Sequence, residues 1–313
     1  MISILITCLN NMYPGKVFFD YSQEIAGKFL SYLAAIYFAL FFLAIGIYEK
    51  LVMLSLFKSN FLPNTPEFVI LFFAISLACY VSYKGVTNIA RMFELYGVIF
   101  IVVTVGICVL MLTQGTVENI LPFYNPNETS NSWKAIKGFI TSYSGIEVLL
   151  IVPFTMVNKN APKIAFTALL FIGLLYVLVV ESTIMSLGIN NTIIYNDSFI
   201  EAIKVTEMPV LERVDLFYLT FGLISLFAGL ILAFTAAVEF SCRVFPKAKR
   251  LVIVASLGVL SYASCLIAMG IKNIDDIIDK HITYPILVSS LFIPVLYFVI
   301  AKIKKHTAQQ PNA

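Results

Sequence analysis

The chain has 313 residues, 60% of them apolar and 12% charged, with a formal net charge of +3 at neutral pH and a mean hydropathy of +0.92. A soluble domain carries roughly twice that share of charge, so 21 Lys+Arg and 18 Asp+Glu are too few to clothe a water-facing surface. The composition excludes nearly every soluble enzyme, and the small, diluted positive excess excludes a nucleic-acid binder that works through a basic face. The solvent for most of this sequence is lipid.

Met1 to Leu9 is apolar but too short to span. It has no basic leader and no small-residue cleavage site before Asn10 and Asn11, so residues 1–11 read as the tail of a helix rather than as a signal peptide. About 20 apolar residues cross roughly 30 Å of hydrocarbon, and the intervals between charges supply eight such segments. The predicted spans cover about 29–57, 65–83, 87–113, 134–157, 163–188, 214–241, 250–271 and 281–302. Leu62-Pro63-Asn64-Thr65-Pro66-Glu67 reads as a helix start, with Thr65 as N-cap and Pro66 in the first helical position. Asn125-Pro126-Asn127 marks a turn in one of the two longest connections, Gly115 to Trp133, the other being Ile189 to Asp215. The runs are continuous rather than alternating, which excludes a β-barrel. The chain is thus predicted to be an all-α polytopic membrane protein, one transmembrane domain over residues 1–313.

With the segment before the 29–57 span placed in the cytoplasm, 13 Lys and Arg fall on that side and 7 on the other. This places both chain ends inside. Three of the five cysteines, Cys79, Cys108 and Cys265, lie in spans, and Cys8 and Cys242 lie near the inner side. No metal-ligand spacing, phosphate loop or HExxH motif occurs, and His281 and His306 read as interfacial polar residues. No enzyme activity and no cofactor is expected.

The informative residues are acids inside spans, because a carboxylate at the bilayer centre costs about 2.5 to 3.5 kcal/mol on insertion scales. Glu147 closes the polar stretch Thr141-Ser142-Tyr143-Ser144-Gly145-Ile146-Glu147, ahead of an apolar run with Pro153. A glycine and several hydroxyls there weaken the helix, and free backbone groups at that depth are tolerated where they line a cavity or a ligand. The plainer reading is a glutamate paired to a neighbouring helix for packing. Glu181 stands near the outer end of its span, where reaching the interface or pairing with another helix are the plainer readings beside a functional one. Glu49 with Lys50, Arg91 with Glu94, and Glu239 with Arg243 are expected ion pairs, the last by i,i+4 spacing; Arg91 and Glu94 read alternatively as a cytoplasmic gate. Tyr37, Thr220 and Ser225 are candidate cavity-lining hydroxyls, although such residues are more often packing contacts between helices than ligand contacts.

Several of these features occur together in a recognisable order: Tyr13-Pro14-Gly15, Ile25-Ala26-Gly27-Lys28, Leu62-Pro63-Asn64-Thr65-Pro66, and Gly85 followed by Asn88-Ile89-Ala90-Arg91-Met92-Phe93-Glu94. Leu121-Pro122, Ser144-Gly145-Ile146-Glu147 with Pro153, and Leu211-Glu212-Arg213 complete the set. From about residue 12 to its end the sequence resembles the spore germination permeases. These are the membrane-embedded B subunits of nutrient germinant receptors, a branch of the amino acid-polyamine-organocation transporters.

The resemblance implies a LeuT-like fold of two inverted five-helix repeats, with a midplane ligand site formed mainly by broken helices one and six. On that alignment residues 1–11 are the end of helix two and Gly138 to Asn158 is helix six; helix one and most of helix two are not represented. Tyr143, Ser144, Gly145 and Glu147 then fall on the unwound part of helix six, and helices three and eight bring Tyr37, Thr220 and Ser225 to the cavity. The resemblance further implies a sensor of a small nutrient, commonly an amino acid, in the spore inner membrane. Its partners would be A-type and lipoprotein C-type receptor subunits and the bilayer, with no nucleic acid. Two other readings stand beside this one: an amino acid or cation secondary transporter, and a truncated non-functional copy.

Overall fold

The computed structural model describes residues 2–121, 143–152, 154, 158–195, 197–206, 214–271 and 274–308. These residues form helices and turns, with no strand among them. The helices are α1 (Ile2–Met12), α2 (Phe18–Asn60), α3 (Glu67–Lys84), α4 (Val86–Gln114), α5 (Ala161–Leu187) and α6 (Ile189–Ile194). They continue with α7 (Ser198–Val205), α8 (Val214–Val244), α9 (Arg250–Met269), α10 (Ile274–His281), α11 (Thr283–Leu287) and α12 (Ile293–Ala308). Among the described residues seven helical segments are long and apolar enough to cross a membrane. Large side chains such as Phe29, Phe73 and Val259 are exposed on them, as expected where the surrounding solvent is lipid. The protein is an all-α polytopic membrane protein. Most of the segment expected at 134–157, including Thr141, Ser142 and Pro153, lies outside the described residues, as do Asn125, Pro126, Asn127 and Leu211 to Arg213.

Glycines set several of the breaks between helices. Inside α2, Gly27 takes φ 82°, ψ 169°, which divides the element into a short entry helix and a long span; Ser31 Oγ donates to the Gly27 carbonyl at 2.8 Å and covers an acceptor that the break exposes. Gly85, at φ 96°, is the single residue between α3 and α4. Only glycine enters that region cheaply. The start of α3 differs from expectation by one residue: Pro66 is the last extended residue and Glu67 opens the helix, without a side-chain cap. The Lys58 ammonium instead donates to the carbonyls of Pro63 and Thr65, at 3.1 and 3.2 Å, and holds this turn against the end of α2.

The chain forms two compact units. The first comprises residues 1–89, 135–166 and 229–313. Its core is an aromatic stack: the Phe18 ring lies 5.4 Å from Phe38 and 5.0 Å from Tyr297, and Phe38 lies 5.1 Å from Phe240. All four side chains are buried, and they tie the two halves of α2 to the end of α8 and to α12. The buried residues Ile6 and Leu9 of α1 and Leu150 join the same cluster.

The second unit comprises residues 90–134 and 167–228. Ile107 and Met111 of α4 pack with Ala202 and Ile203 of α7 and Val214 of α8. A Cβ on Gly115 would fall 2.7 Å from Met185 Cβ, so glycine is what lets the end of α4 reach α5. The Met185 carbonyl there accepts from the Thr116 amide at 3.1 Å and from Asn119 Nδ2 at 2.9 Å.

Candidate functional site

Residues 143–150 contain a turn followed by a 3-10 helix, Ile146–Leu150, at a point in the sequence where a continuous span would be α-helical. Gly145 sets this geometry at φ 111°, ψ −13°. Nothing lies within 4 Å of where its Cβ would be, so backbone conformation rather than space requires glycine. The unwinding frees amides and carbonyls that lipid cannot satisfy.

Glu147 answers part of that need. Its side chain is fully buried, and Oε2 accepts from the Gly145 amide at 2.8 Å. Ser289 Oγ lies 3.0 Å from Oε1 and also 3.0 Å from the Ile286 carbonyl, so its single proton can serve the carboxylate or its own helical turn. Ser289 belongs to the π-helical segment Val288–Phe292 between α11 and α12. Such widened turns occur often at functional sites. The carboxylate therefore clasps two irregular backbone segments that are 142 residues apart in sequence.

Asparagines hold the rest of the unwound stretch. Asn10 Nδ2 donates to the Leu149 carbonyl at 2.8 Å, while Asn10 Oδ1 accepts from the buried Tyr21 hydroxyl at 2.8 Å. Asn11 Nδ2 donates to the Asn158 carbonyl at 2.8 Å and Asn11 Oδ1 accepts from the Asn158 amide at 3.2 Å. The Gly15 amide donates to the Phe154 carbonyl at 2.7 Å. Asn10, Asn11 and Ser289 were not singled out from the sequence. Two consecutive asparagines ending an apolar stretch are the signal that was available.

Tyr37 of α2 meets the chain one helical turn before Ser289. Its hydroxyl donates to the Pro285 carbonyl at 2.8 Å, and Pro285 precedes Ser289 by four residues. The ring borders a cavity of about 580 Å³ between α2 and α10, lined by Phe41, Ile45, Ile274, Ile278 and His281. Its walls are almost wholly apolar. Tyr143 and Ser144 are half-buried beside the clasp in sequence. Thr220 and Ser225 belong to the other unit. Thr220 is exposed and its hydroxyl donates to the Leu216 carbonyl of its own helix, at 2.8 Å, which is backbone satisfaction rather than a cavity contact.

The expected ion pairs are redistributed. Arg243 pairs with Asp20 and Glu239 pairs with Arg250 at 2.6 Å, instead of with each other. The i,i+4 spacing is met, yet helices arriving from elsewhere in the first unit offer each charge a partner from another segment. Arg250 also donates to the Ser82 carbonyl at 2.7 Å, so one guanidinium joins α3, α8 and α9. Glu49 and Lys50 form no ion pair with each other, because neighbours on a helix point about 100° apart. Lys50 is fully buried and donates to the Gly46 carbonyl at 2.9 Å. Arg91 and Glu94 are both exposed on α4 and no ion pair joins them.

A family profile described as spore germination protein matches residues 1–277. The chain belongs to this family. It is 26% identical over 307 residues to spore germination protein YndE of Bacillus subtilis (strain 168), covering 96% of this chain and 83% of that protein. It is 24% identical over 306 residues to spore germination protein KB of the same organism, covering 94% and 80%. Spore germination protein B2, also from that organism, matches over 206 residues at 23% identity, covering 65% of this chain and 56% of its own length. This member of the spore germination family is accordingly an integral membrane protein, and it carries a buried carboxylate within a 3-10 turn.

Proposed function

We propose that the protein is the membrane-embedded subunit of a nutrient germinant receptor, and that the Glu147 clasp is the part that responds to a small nutrient, most simply an amino acid. The observation that carries this reading is a fully buried carboxylate bound to the Gly145 amide and Ser289 at the unwound 143–150 stretch, in a chain of the spore germination family. Membership in that family and the broken helix also support a LeuT-like plan of inverted five-helix repeats, in which this stretch is the broken sixth helix.

The chemistry follows from what Glu147 holds. A zwitterionic or hydroxyl-bearing solute that reaches the break competes for the Gly145 amide, for the Ser289 hydroxyl or for the carboxylate itself. Each of these is a charge-assisted bond in a medium of low dielectric, where such bonds are strong and leaving one unmade is costly. Displacing Ser289 returns its proton to the Ile286 carbonyl, 3.0 Å away, so the exchange strands no donor. The 143–150 stretch is then free to shift against the Val288–Phe292 segment, and that movement is the signal. Tyr143 and Ser144 border the same break; Tyr37, fixed to Pro285 one turn away, relays the movement to α2.

In this reading an A-type subunit and a lipoprotein C-type subunit receive the signal in the spore inner membrane, and both chain ends face the core side, as the 13-to-7 distribution of basic residues supports. Glu147→Gln keeps the shape and removes the charge. In spores expressing the variant at the wild-type level, the nutrient response is expected to fall at least tenfold; a response equal to wild type would remove Glu147 from the site. Accumulation of labelled amino acid in proteoliposomes of the chain alone would favour a secondary transporter.

A further inference from the structure

A second polar cluster lies inside the first unit, among α2, α3, α8 and α9, and the clasp makes no use of it. Lys50 is fully buried. Of its three donors one is placed, on the Gly46 carbonyl at 2.9 Å, and the ammonium lies 5.6 Å from the centre of the Phe234 ring on α8. Its room comes from small residues: a Cβ on Gly46 would fall 3.4 Å from Nζ and 3.6 Å from Ala233 Cβ. Glu49 reaches the same helix one turn earlier, with both carboxylate oxygens about 3.5 Å from where a Gly229 Cβ would be. Its Oε2 is buried and has no hydrogen-bond partner.

Among the described residues, the titratable side chains near Lys50 from other helices are the thiols of Cys79 on α3 and Cys265 on α9. Cys79 Sγ bonds weakly to the Val254 carbonyl at 3.8 Å, and a Cβ on Gly258 would fall 2.6 Å from it. Ser261, one turn before the buried Cys265 on α9, has a buried hydroxyl that also lacks a partner. On the α8 side Gly229, Ala233 and Phe234 face the cluster.

We propose that Glu49 and Lys50 form a proton-exchange pair within the membrane, and that α2 and α8 must part for the pair to trade its proton with water. The physical argument is one of net charge. A lone charge out of water costs far more than a group that neutralises by gaining or losing a proton. The packed arrangement therefore favours a pair of zero total charge, either both ionised or both neutral. Adding one proton from hydronium yields water and a pair carrying +1, which low dielectric penalises until water reaches it. Proton number and the packing of α2 on α8 are linked for that reason, and the conformational equilibrium of the protein becomes dependent on pH. This inference rests on burial and unmade bonds and is independent of the nutrient site.

The test is infrared spectroscopy of the full chain in phosphatidylglycerol–phosphatidylethanolamine vesicles, with glutamate carrying ¹³C, titrated through the external pH. A protonated-carboxyl band that titrates is expected; it is lost in Glu49→Gln and its midpoint moves by about one pH unit or more in Lys50→Met, a tenfold change in proton affinity. The double variant Glu49→Gln/Lys50→Met, which buries no charge, is expected to melt closer to wild type than either single variant. Absence of any titrating band from the difference between the unsubstituted chain and Glu49→Gln, in which the other eleven glutamates cancel, would overturn the proposal. So would a band untouched by Glu49→Gln, or melting effects that simply add in the double variant.

Discussion

At Gly145 a single backbone angle opens the clasp. An L residue at φ 111° pays about 1–2 kcal/mol in local strain, although space is free around the Cβ position. Gly97 on α4 is equally unobstructed but lies within regular helix. Gly145→Ala is therefore expected to lower the melting temperature and blunt the nutrient response, whereas Gly97→Ala leaves both unchanged or gains slightly; equal effects at the two positions would show that the strain is not at 145. The Glu147–Ser289 bond is open to a double-mutant cycle with Glu147→Gln and Ser289→Ala. A coupling of about 1–2 kcal/mol in thermal stability is expected, and zero coupling would assign the Ser289 proton to Ile286. Glu147 and Gly145 stood out in the sequence because a charge and a turn residue are rare in an apolar run. Ser289 did not, since a serine within a span is ordinarily packing material.

Between elements, the charges at the ends of α2, α3, α8 and α9 act as fasteners. Asp20 and Arg243 join the entry helix of α2 to the last turn of α8, and Arg250 collects Glu239 and the Ser82 carbonyl. The Asp20–Arg243 side chains are 38–39% exposed, so the pair contributes about 0.2–1 kcal/mol. Exchanging them, Asp20→Arg with Arg243→Asp, is expected to restore the melting temperature lost in either single variant. Failure of the exchange to restore it would mean that other contacts hold these termini. The all-α membrane class was legible at this scale, because hydropathy is a local property. The partners were not: the i,i+4 rule joins Glu239 to Arg243, but each charge met a partner from another helix in the first unit.

For the whole molecule, the alternation of basic residues sets an expectation that no local contact can supply. If both ends face inward, a C-terminal epitope tag in intact cells resists external protease and is cut only after permeabilisation. Digestion without permeabilisation would reverse the orientation. The two units also differ in how they are stitched. The first is threaded by polar bonds from Asn10, Asn11, Glu147 and Arg250 around an aromatic core, while the second combines close approach at Gly115, hydrogen bonds from Thr116 and Asn119 to the Met185 carbonyl, and a small apolar cluster. Movement of the 143–150 stretch is therefore resisted by hydrogen bonds.

The sequence by itself determined residence in lipid, the all-α class and the polar, glycine-bearing stretch at Gly145 and Glu147, because each depends on residues adjacent in the chain and on transfer energies that sum along it. Tertiary structure decided the pairings: Glu147 with Ser289, Arg243 with Asp20, and Lys50 buried with Glu49 yet bonded to neither it nor any other carboxylate. Those outcomes turn on which distant segments meet, at distances of about 3 Å. In a medium without water every polar group must find its partner from whatever segment the fold brings near.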